Sequence, residues 1–346
     1  MSELFPKFKA AAVHAASVFL DLEASIDKAC KLIGEAAANG ANLVVFPETF
    51  LPGYPYWIWT HTPRDGAPLF FELFANSIVV GSTQTDRLGA AARQAGVYVA
   101  VGVSERDGGT LYNTLLYFDN QGDIVGRHRK LQPTNAERII WGRGDASGLK
   151  VHQTPLGRIG GLICFEHTMD LTRYALISQR EQVHVGIWPA ISAISSDPNS
   201  ATFDDWSASA ARHHALAAQA FVINVQSRID ERVIEKLGLV GQTDVIRVGG
   251  GWSAIIAPNG QFLAGPNRDD ETILYADIDL SLIVFAKYFV DSAGHYSRPD
   301  VLRLWANYET QSVTVDEERP ARFVDTDVED GQGETAPMPQ SFQQRA

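Results

Sequence analysis

Gly157-Arg158-Ile159-Gly160-Gly161-Leu162-Ile163-Cys164-Phe165-Glu166-His167 is a short apolar run, broken by glycines, that ends abruptly in a thiol, a carboxylate and an imidazole. Its apolar part reads as a buried strand. Beyond it, Leu171, Tyr174, Ala175 and Ser178 recur at helical spacing between Met169 and Arg180, which puts Cys164 in a strand-to-helix turn. In such a turn, backbone donors and the positive end of the next helix favour thiolate over thiol, and the carboxyl end of a strand opens on a crevice. A lone cysteine is more often a small buried hydrophobe. Residues elsewhere must therefore make the case for chemistry.

The chain has 346 residues, 45% of them hydrophobic, enough for a substantial α/β core. Lysine plus arginine number 29 against 41 aspartates and glutamates, a formal charge of −12 that disfavours nucleic acid and anionic membranes as partners. A small uncharged substrate suits this balance. The N-terminus has no basic region followed by an apolar core, and no apolar run is long enough to span a bilayer, so a cytoplasmic location is expected. Two cysteines, Cys30 and Cys164, are too few for a disulfide framework.

Working outward, Phe8 to Ala15 reads as a strand, and Ile26, Cys30, Ile33 and Ala37 mark an amphipathic helix opened by Asp21 and ended by Asn39-Gly40. Cys30 lies on that apolar stripe and is assigned to packing. The buried strand Leu43 to Phe46 stops at Pro47, which leaves Glu48 at its carboxyl end. The aromatic loop from Thr49 to Trp59, with Tyr54 inside it, could keep water from that carboxylate. A helix over Ser82 to Gln94 precedes three strands in a meander, the last running from Ile124 to Lys130. Strand alternation puts His128 and Lys130 on one face and Arg127 and Arg129 on the other. Glu137 follows only seven residues after Lys130.

After the Cys164 turn, Val183 to Trp188 reads as a strand, Asp204 to Gln219 as an Ala-rich helix and Phe221 to Gln226 as a strand. Arg228 to Arg247 is polar and mixed, the pattern of a mobile insertion. A hairpin turning at Pro258-Asn259-Gly260 and a strand over Ile273 to Ile278 follow. From Asp316 onward eight acidic residues stand against three arginines, without periodicity, as in a disordered tail. His213 and His214 are adjacent and cannot face one site from a helix, and no paired metal-ligand spacing occurs, so no metal is expected.

Glu48, Lys130 and Cys164 each lie at or just beyond a strand end and belong to three different chemical roles. In this light Phe46-Pro47-Glu48, the segment Arg129-Lys130-Leu131 with Pro133-Thr134 and Glu137-Arg138, and Gly161 to His167 together resemble the nitrilase branch of the carbon-nitrogen hydrolase superfamily. Pro52-Gly53-Tyr54-Pro55 and Gly294-His295-Tyr296 with Arg298-Pro299-Asp300 are similar to that branch too. The resemblance runs from about Lys7 to Asn307, so residues 1–310 are read as one carbon-nitrogen hydrolase domain and 311–346 as an acidic, disordered tail. Residue periodicity supports only an α/β fold with mixed pairing. The resemblance implies more: a four-layer αββα sandwich of two mixed β-sheets, a dimer-based and sometimes spiral homo-oligomer, and no cofactor.

The resemblance also implies roles. Cys164 is the nucleophile, Glu48 the general base, Lys130 the electrostatic stabiliser and proton donor, and Glu137 a supporting acid. Glu166 would hold the turn through backbone donors and His167 would supply a bond behind the nucleophile. Tyr54, Phe165 and Trp188 are the candidate substrate contacts. The reaction implied is hydrolysis of a small nitrile to carboxylic acid and ammonia through a covalent cysteine thioimidate and thioester; cyanide hydration and aliphatic amide hydrolysis by the same site are the alternatives. Two positions depart from the family pattern. Phe165 replaces a tryptophan, which keeps an aromatic face but loses an indole N–H, and Asn135 stands where a bulkier ring is expected.

Overall fold

The computed structural model describes residues 5–311. In chain order the elements are β1 (Lys7–His14), α1 (Leu22–Ala38), β2 (Leu43–Val45), α2 (Ala67–Asn76), α3 (Thr83–Ala95), β3 (Tyr98–Asp107), β4 (Thr110–Phe118), β5 (Ile124–Arg129) and β6 (His152–Thr154). They continue with β7 (Gly157–Ile163), α4 (Asp170–Ser178), β8 (Val183–Trp188), α5 (Ser200–Ala218), β9 (Phe221–Gln226) and α6 (Glu231–Lys236). The last are β10 (Ser253–Ile256), β11 (Phe262–Asn267), β12 (Thr272–Asp279) and α7 (Ser281–Phe289). The acidic tail expected from the sequence lies outside the described residues from position 312 onward.

Two six-stranded sheets result, ordered β12-β1-β2-β3-β4-β5 and β11-β10-β9-β8-β7-β6. Each has three parallel strands at its centre, β1, β2 and β3 in one and β7, β8 and β9 in the other, flanked by antiparallel strands. Central strands buried on both faces need apolar residues at nearly every position. That is why the Leu43 and Val183 segments read as continuous apolar runs.

Strand alternation then divides the core. Ala12, Val45, Ala100 and Leu115 of the first sheet pack against Ile163, Val185, Ile223 and Ile255 of the second. The opposite residues of the first sheet, Val44, Val99, Val101 and Leu116, pack on Ile26 and Ile33 of α1 and Leu88 and Ala92 of α3. On the far side of the second sheet, Val222 and Ile256 meet Ala211 and Ala215 of α5, and Leu162 meets Ala175 and Leu176 of α4. These contacts make the four layers of an αββα sandwich. Cys30 is partly buried against the α1 layer.

One segment departs from its sequence reading. Arg228 to Arg247 contains α6, and Val233, Leu237, Leu239 and Ile246 from it are buried in the central core. With Ile229, also buried there, five apolar anchors turn inward that its polar residues obscured. The Ala-rich helix also begins four residues earlier than expected, at Ser200. The earlier start matters to the cavity described next, because it puts Phe203 on the helix.

Candidate active site

Glu48 follows β2, Lys130 follows β5 and Cys164 follows β7, so three strand ends converge. The carboxyl ends of parallel strands are where open α/β sheets build their crevices. Close approach is possible because β3 carries Gly102 here: a Cβ at that position would lie 2.3 Å from Pro47 O and 2.7 Å from Glu48 Cα. The acceptor atoms of Glu48 and Glu137 and the Cys164 sulfur all lie within 4.8 Å of one another. Lys130 Nζ fills the space between the carboxylates, donating to Glu48 Oε1 at 3.0 Å and to Glu137 Oε2 at 2.7 Å. Glu48, Lys130, Glu137 and Cys164 are all buried.

Each carboxylate is held further. Asn113 Nδ2 donates to Glu48 Oε1 at 2.5 Å. Thr134 N donates to Glu137 Oε2 at 2.8 Å and the Tyr54 hydroxyl to Glu137 Oε1 at 2.9 Å. Trp59 Nε1 donates to that hydroxyl at 3.3 Å. Arg138, next to Glu137 in the chain, donates to Pro133 O.

Burial and charge set the protonation states. Burial pushes the Glu48 carboxyl up to about 7, against the pull of the Lys130 ammonium. For Lys130, burial works to lower its pKa, but Glu137 and Glu48 outweigh it and hold the ammonium well above the usual lysine range. Burial raises the Cys164 thiol well above the ordinary cysteine value. The resting sulfur is therefore a thiol, the form from which a general base takes a proton, although the Lys130 ammonium and the Phe165 N–H pull towards thiolate. Burial outweighs that pull; α4, whose positive end the sequence placed at the turn, begins only at Asp170, beyond the 3₁₀ turn of Cys164 to Thr168.

Cys164 has φ 52°, a left-handed conformation that costs a non-glycine residue about 1–3 kcal/mol unless its surroundings fix it. Glu166 and His167 do so. Glu166 accepts from Leu131 N at 2.7 Å and Ile163 N at 2.8 Å, and pairs with His128 Nε2 at 2.9 Å. One buried carboxylate thereby ties the lysine segment to the nucleophile strand. Burial by itself would raise its pKa, but His128 and the two backbone donors hold Glu166 below the usual carboxylate value. His167 Nδ1 lies 2.7 Å from Cys164 O.

The sulfur opens on a cavity of about 80 Å³ whose wall includes Tyr54, Trp59, Asn135, Phe165, Phe203 and Trp206. Tyr54 and Phe165 are thus where substrate contacts were expected. Trp188 is not on this wall. It is fully buried behind Phe165, ring centroids 5.9 Å apart, with Nε1 donating to Asn224 Oδ1 at 2.7 Å. Sequence reasoning missed Asn113, whose signal was a lone amide in the apolar β4 strand, and Phe203 and Trp206, two aromatics three residues apart on an Ala-rich helix.

Two trios of side chains able to ligate a metal come together among the described residues, Glu48 with Glu137 and Cys164, and Glu181 with His184 and His214. In the first, the Lys130 ammonium sits between the carboxylates. In the second, both Glu181 oxygens lie 2.8 Å from ring nitrogens, as acceptors of hydrogen bonds.

Known proteins share this arrangement of chain. The chain is 43% identical over 303 residues to a nitrilase of Bacillus sp. strain OxB-1, covering 87% of this chain and 88% of that one. It is 45% identical over 308 residues to an aliphatic nitrilase of Rhodococcus rhodochrous, with 88% and 84% covered. Among solved structures, a carbon-nitrogen hydrolase from Helicobacter pylori superposes with a TM-score of 0.68 at 21% identity, over 85% of this chain and 96% of that one. An amidase from Nesterenkonia sp. does so at 0.58 and 17% identity, over 80% and 92%, a likeness of fold alone. The family model for carbon-nitrogen hydrolases matches residues 9–288, which contain both sheets but for the first two residues of β1, and all three converging strand ends. On these grounds the chain belongs to the carbon-nitrogen hydrolase family.

Proposed function

We propose that this hydrolase is a nitrilase, converting a small organic nitrile and two waters to a carboxylic acid and ammonia. The observation that carries the reading is the burial of Lys130 between Glu48 and Glu137, beside Cys164, in a chain more than 40% identical to nitrilases over most of its length. Glu48 is the general base: it takes the thiol proton as Cys164 attacks the nitrile carbon. The carbon–sulfur bond forms while one π bond of the nitrile becomes a lone pair on nitrogen, and protonation of that nitrogen gives the thioimidate. Lys130 stabilises the developing charge from a position fixed in advance. Water adds to the thioimidate, ammonia departs to leave a thioester, and a second water releases the acid and restores the thiol. Glu137 keeps Lys130 charged and in place and orients the water or departing ammonia.

The wall of the cavity narrows the substrate. Trp59, Phe165, Phe203 and Trp206 offer aromatic faces, while Asp197 and Glu137 disfavour an anionic group. A neutral aliphatic or arylaliphatic nitrile of modest size fits this chemistry. The exposed apolar side chains Leu282, Phe285, Tyr288 and Phe289 of α7 support a homo-oligomer. A cytoplasmic location accords with two unpaired cysteines, and none of the described helices is long and apolar enough to cross a membrane.

The test is turnover of a panel of aliphatic, arylaliphatic and aromatic nitriles, with matching amides and cyanide, beside Cys164→Ala. Ammonia with acid, abolished in the variant, is the expected result. Turnover confined to amides, or to cyanide, would replace the reading with the corresponding hydrolase.

A further inference from the structure

Behind the nucleophile lies a set of buried ionisable groups that the mechanism above does not use. His167 Nε2 is 2.9 Å from His184 Nε2, His184 Nδ1 is 2.8 Å from Glu181 Oε1, and His214 Nε2 is 2.8 Å from Glu181 Oε2. With the bond from His167 to the Cys164 carbonyl, they form an unbroken chain from Glu181 to the catalytic turn. All four side chains are buried. The packing is tight enough that β8 carries Gly186 beside them, where a Cβ would lie 3.1 Å from His167 Nε2.

The protons in this chain can be counted. A carbonyl only accepts, so His167 Nδ1 carries a hydrogen. A carboxylate only accepts, so His184 Nδ1 and His214 Nε2 carry one each. Two bare nitrogen lone pairs cannot face each other at 2.9 Å, so the contact between the two Nε2 atoms holds a third. His167 and His184 then share three N–H groups, whereas two neutral imidazoles have two. Moving a proton onto Glu181 changes its address but not the count. His214 Nδ1 has no hydrogen-bond partner among the described residues, so that ring is neutral.

We infer that the chain from Glu181 through His184 and His167 traps one proton, as a His184 imidazolium paired with the Glu181 carboxylate, and that this proton positions the nucleophile. The inference rests on Cys164 being that nucleophile. Charge balance agrees: a buried carboxylate is tolerated when a fixed cation answers it. Burial would raise the Glu181 pKa, but His184 and His214 hold it down at about 2; burial and the neighbouring His184 hold His167 well below the imidazole range. Of the two rings that share the three N–H groups, His184 is the one in contact with the Glu181 carboxylate, its Nδ1 2.8 Å from Oε1, so the charge is placed there. His214 stacks on it, ring centroids 3.7 Å apart. The other ionisable groups that face the cluster are Arg173 of α4 and Tyr117 of β4. Without the trapped proton the two Nε2 lone pairs would repel, His167 would shift, and the Cys164 carbonyl would lose the bond that closes its left-handed turn. His184 and Glu181 are positioning residues, since neither touches the reacting atoms.

Nitrogen NMR of the full-length protein labelled with ¹⁵N-histidine tests the count directly. At pH 8 ordinary imidazoles are neutral. One histidine with both ring nitrogens protonated at that pH, absent from His184→Gln, is expected; a spectrum in which every histidine is a neutral tautomer would overturn the inference whatever the enzyme's substrate. In His184→Gln, kcat should fall at least about tenfold with KM within about twofold, because misplacing a reacting atom acts on the chemical step. The rate of Cys164 alkylation by iodoacetamide should fall with it, a readout that needs no nitrile turnover. Unchanged alkylation and unchanged kcat would sink the positioning role.

Discussion

Asn113 donates to Glu48 at Oε1, the same oxygen that receives the Lys130 ammonium. The other oxygen, Oε2, is buried and has no partner among the described residues. A carboxylate held twice on one side and left open on the other is oriented for a single task, which in the proposed mechanism is to accept a proton from the neighbouring Cys164 thiol.

That assignment sets the acid limb of the pH profile. Burial brings the Glu48 carboxyl to about 7, and the base works only when ionised. kcat/KM should therefore fall about tenfold per pH unit below 7. An acid limb near the ordinary glutamate value of ~4.3 would contradict it.

Removing Asn113 shifts that limb. Its amide favours the charged form of Glu48, so Asn113→Ala should move the acid limb to higher pH and lower activity at pH 7 more than at pH 9. Rate profiles of wild type and variant, taken together, read the displacement. An equal loss at both values would assign Asn113 to packing alone.

Lys130→Met replaces a buried cation with a group of similar shape. Loss of a preorganised donor to the developing charge costs about 10²–10³ in kcat. Stripping the cation from between two buried carboxylates also costs about 3–5 kcal/mol of stability. Activity and thermal unfolding should both report the loss, and a variant with more than a tenth of wild-type kcat would remove Lys130 from the mechanism.

Stability should decline on acidification well above the usual carboxylate range. Burial keeps His14 and His214 neutral down to about 4, whereas the unfolded chain protonates its histidines near 6.5. Between those values the unfolded state binds more protons, so stability is present above 6.5 and is lost as pH falls towards 4. The loss is on the order of 3 kcal/mol for each buried ring. Glu181, held at about 2 by His184 and His214 in spite of its burial, extends the decline below the ordinary carboxylate value. Denaturant midpoints measured from pH 7 to 4 should fall steadily, and a flat profile would contradict this account of the buried histidines.

The aromatic wall makes a separate prediction about selectivity. Phe165 meets Phe203 and Trp206 at ring centroid distances of 5.7 and 5.9 Å. Trp206→Ala should raise KM for arylaliphatic nitriles several-fold while leaving short aliphatic ones nearly unchanged, since it removes aromatic contact without touching Glu48, Lys130 or Cys164. Equal effects on both substrate classes would take Trp206 off the substrate's path.

Much of this was legible in the chain because strand ends leave clear marks. Pro47 after Leu43–Val45 placed Glu48, and alternation through β5 put His128 and Lys130 on one face, the face that the fold buries. Other features depend on contacts remote in sequence. Asn113 reaches Glu48 across 65 positions and Glu181 reaches His214 across 33, so neither pairing leaves a local pattern. Trp188 was misplaced for a related reason: alternation tells which face of β8 a side chain takes, but not that Phe165 would stand between it and the cavity. Arg228 to Arg247 looked mobile because its apolar anchors are irregularly spaced, yet Val233, Leu237, Leu239 and Ile246 bury it.

The central claim is that Cys164 carries the substrate covalently, and intact-protein mass spectrometry of enzyme acid-quenched during turnover of a nitrile tests it most directly. The account predicts a mass increase matching a thioimidate or thioester of that substrate, mapped to the peptide containing Cys164 and absent from Cys164→Ala. Continued ammonia release by Cys164→Ala, with no adduct on the wild-type peptide, would contradict it.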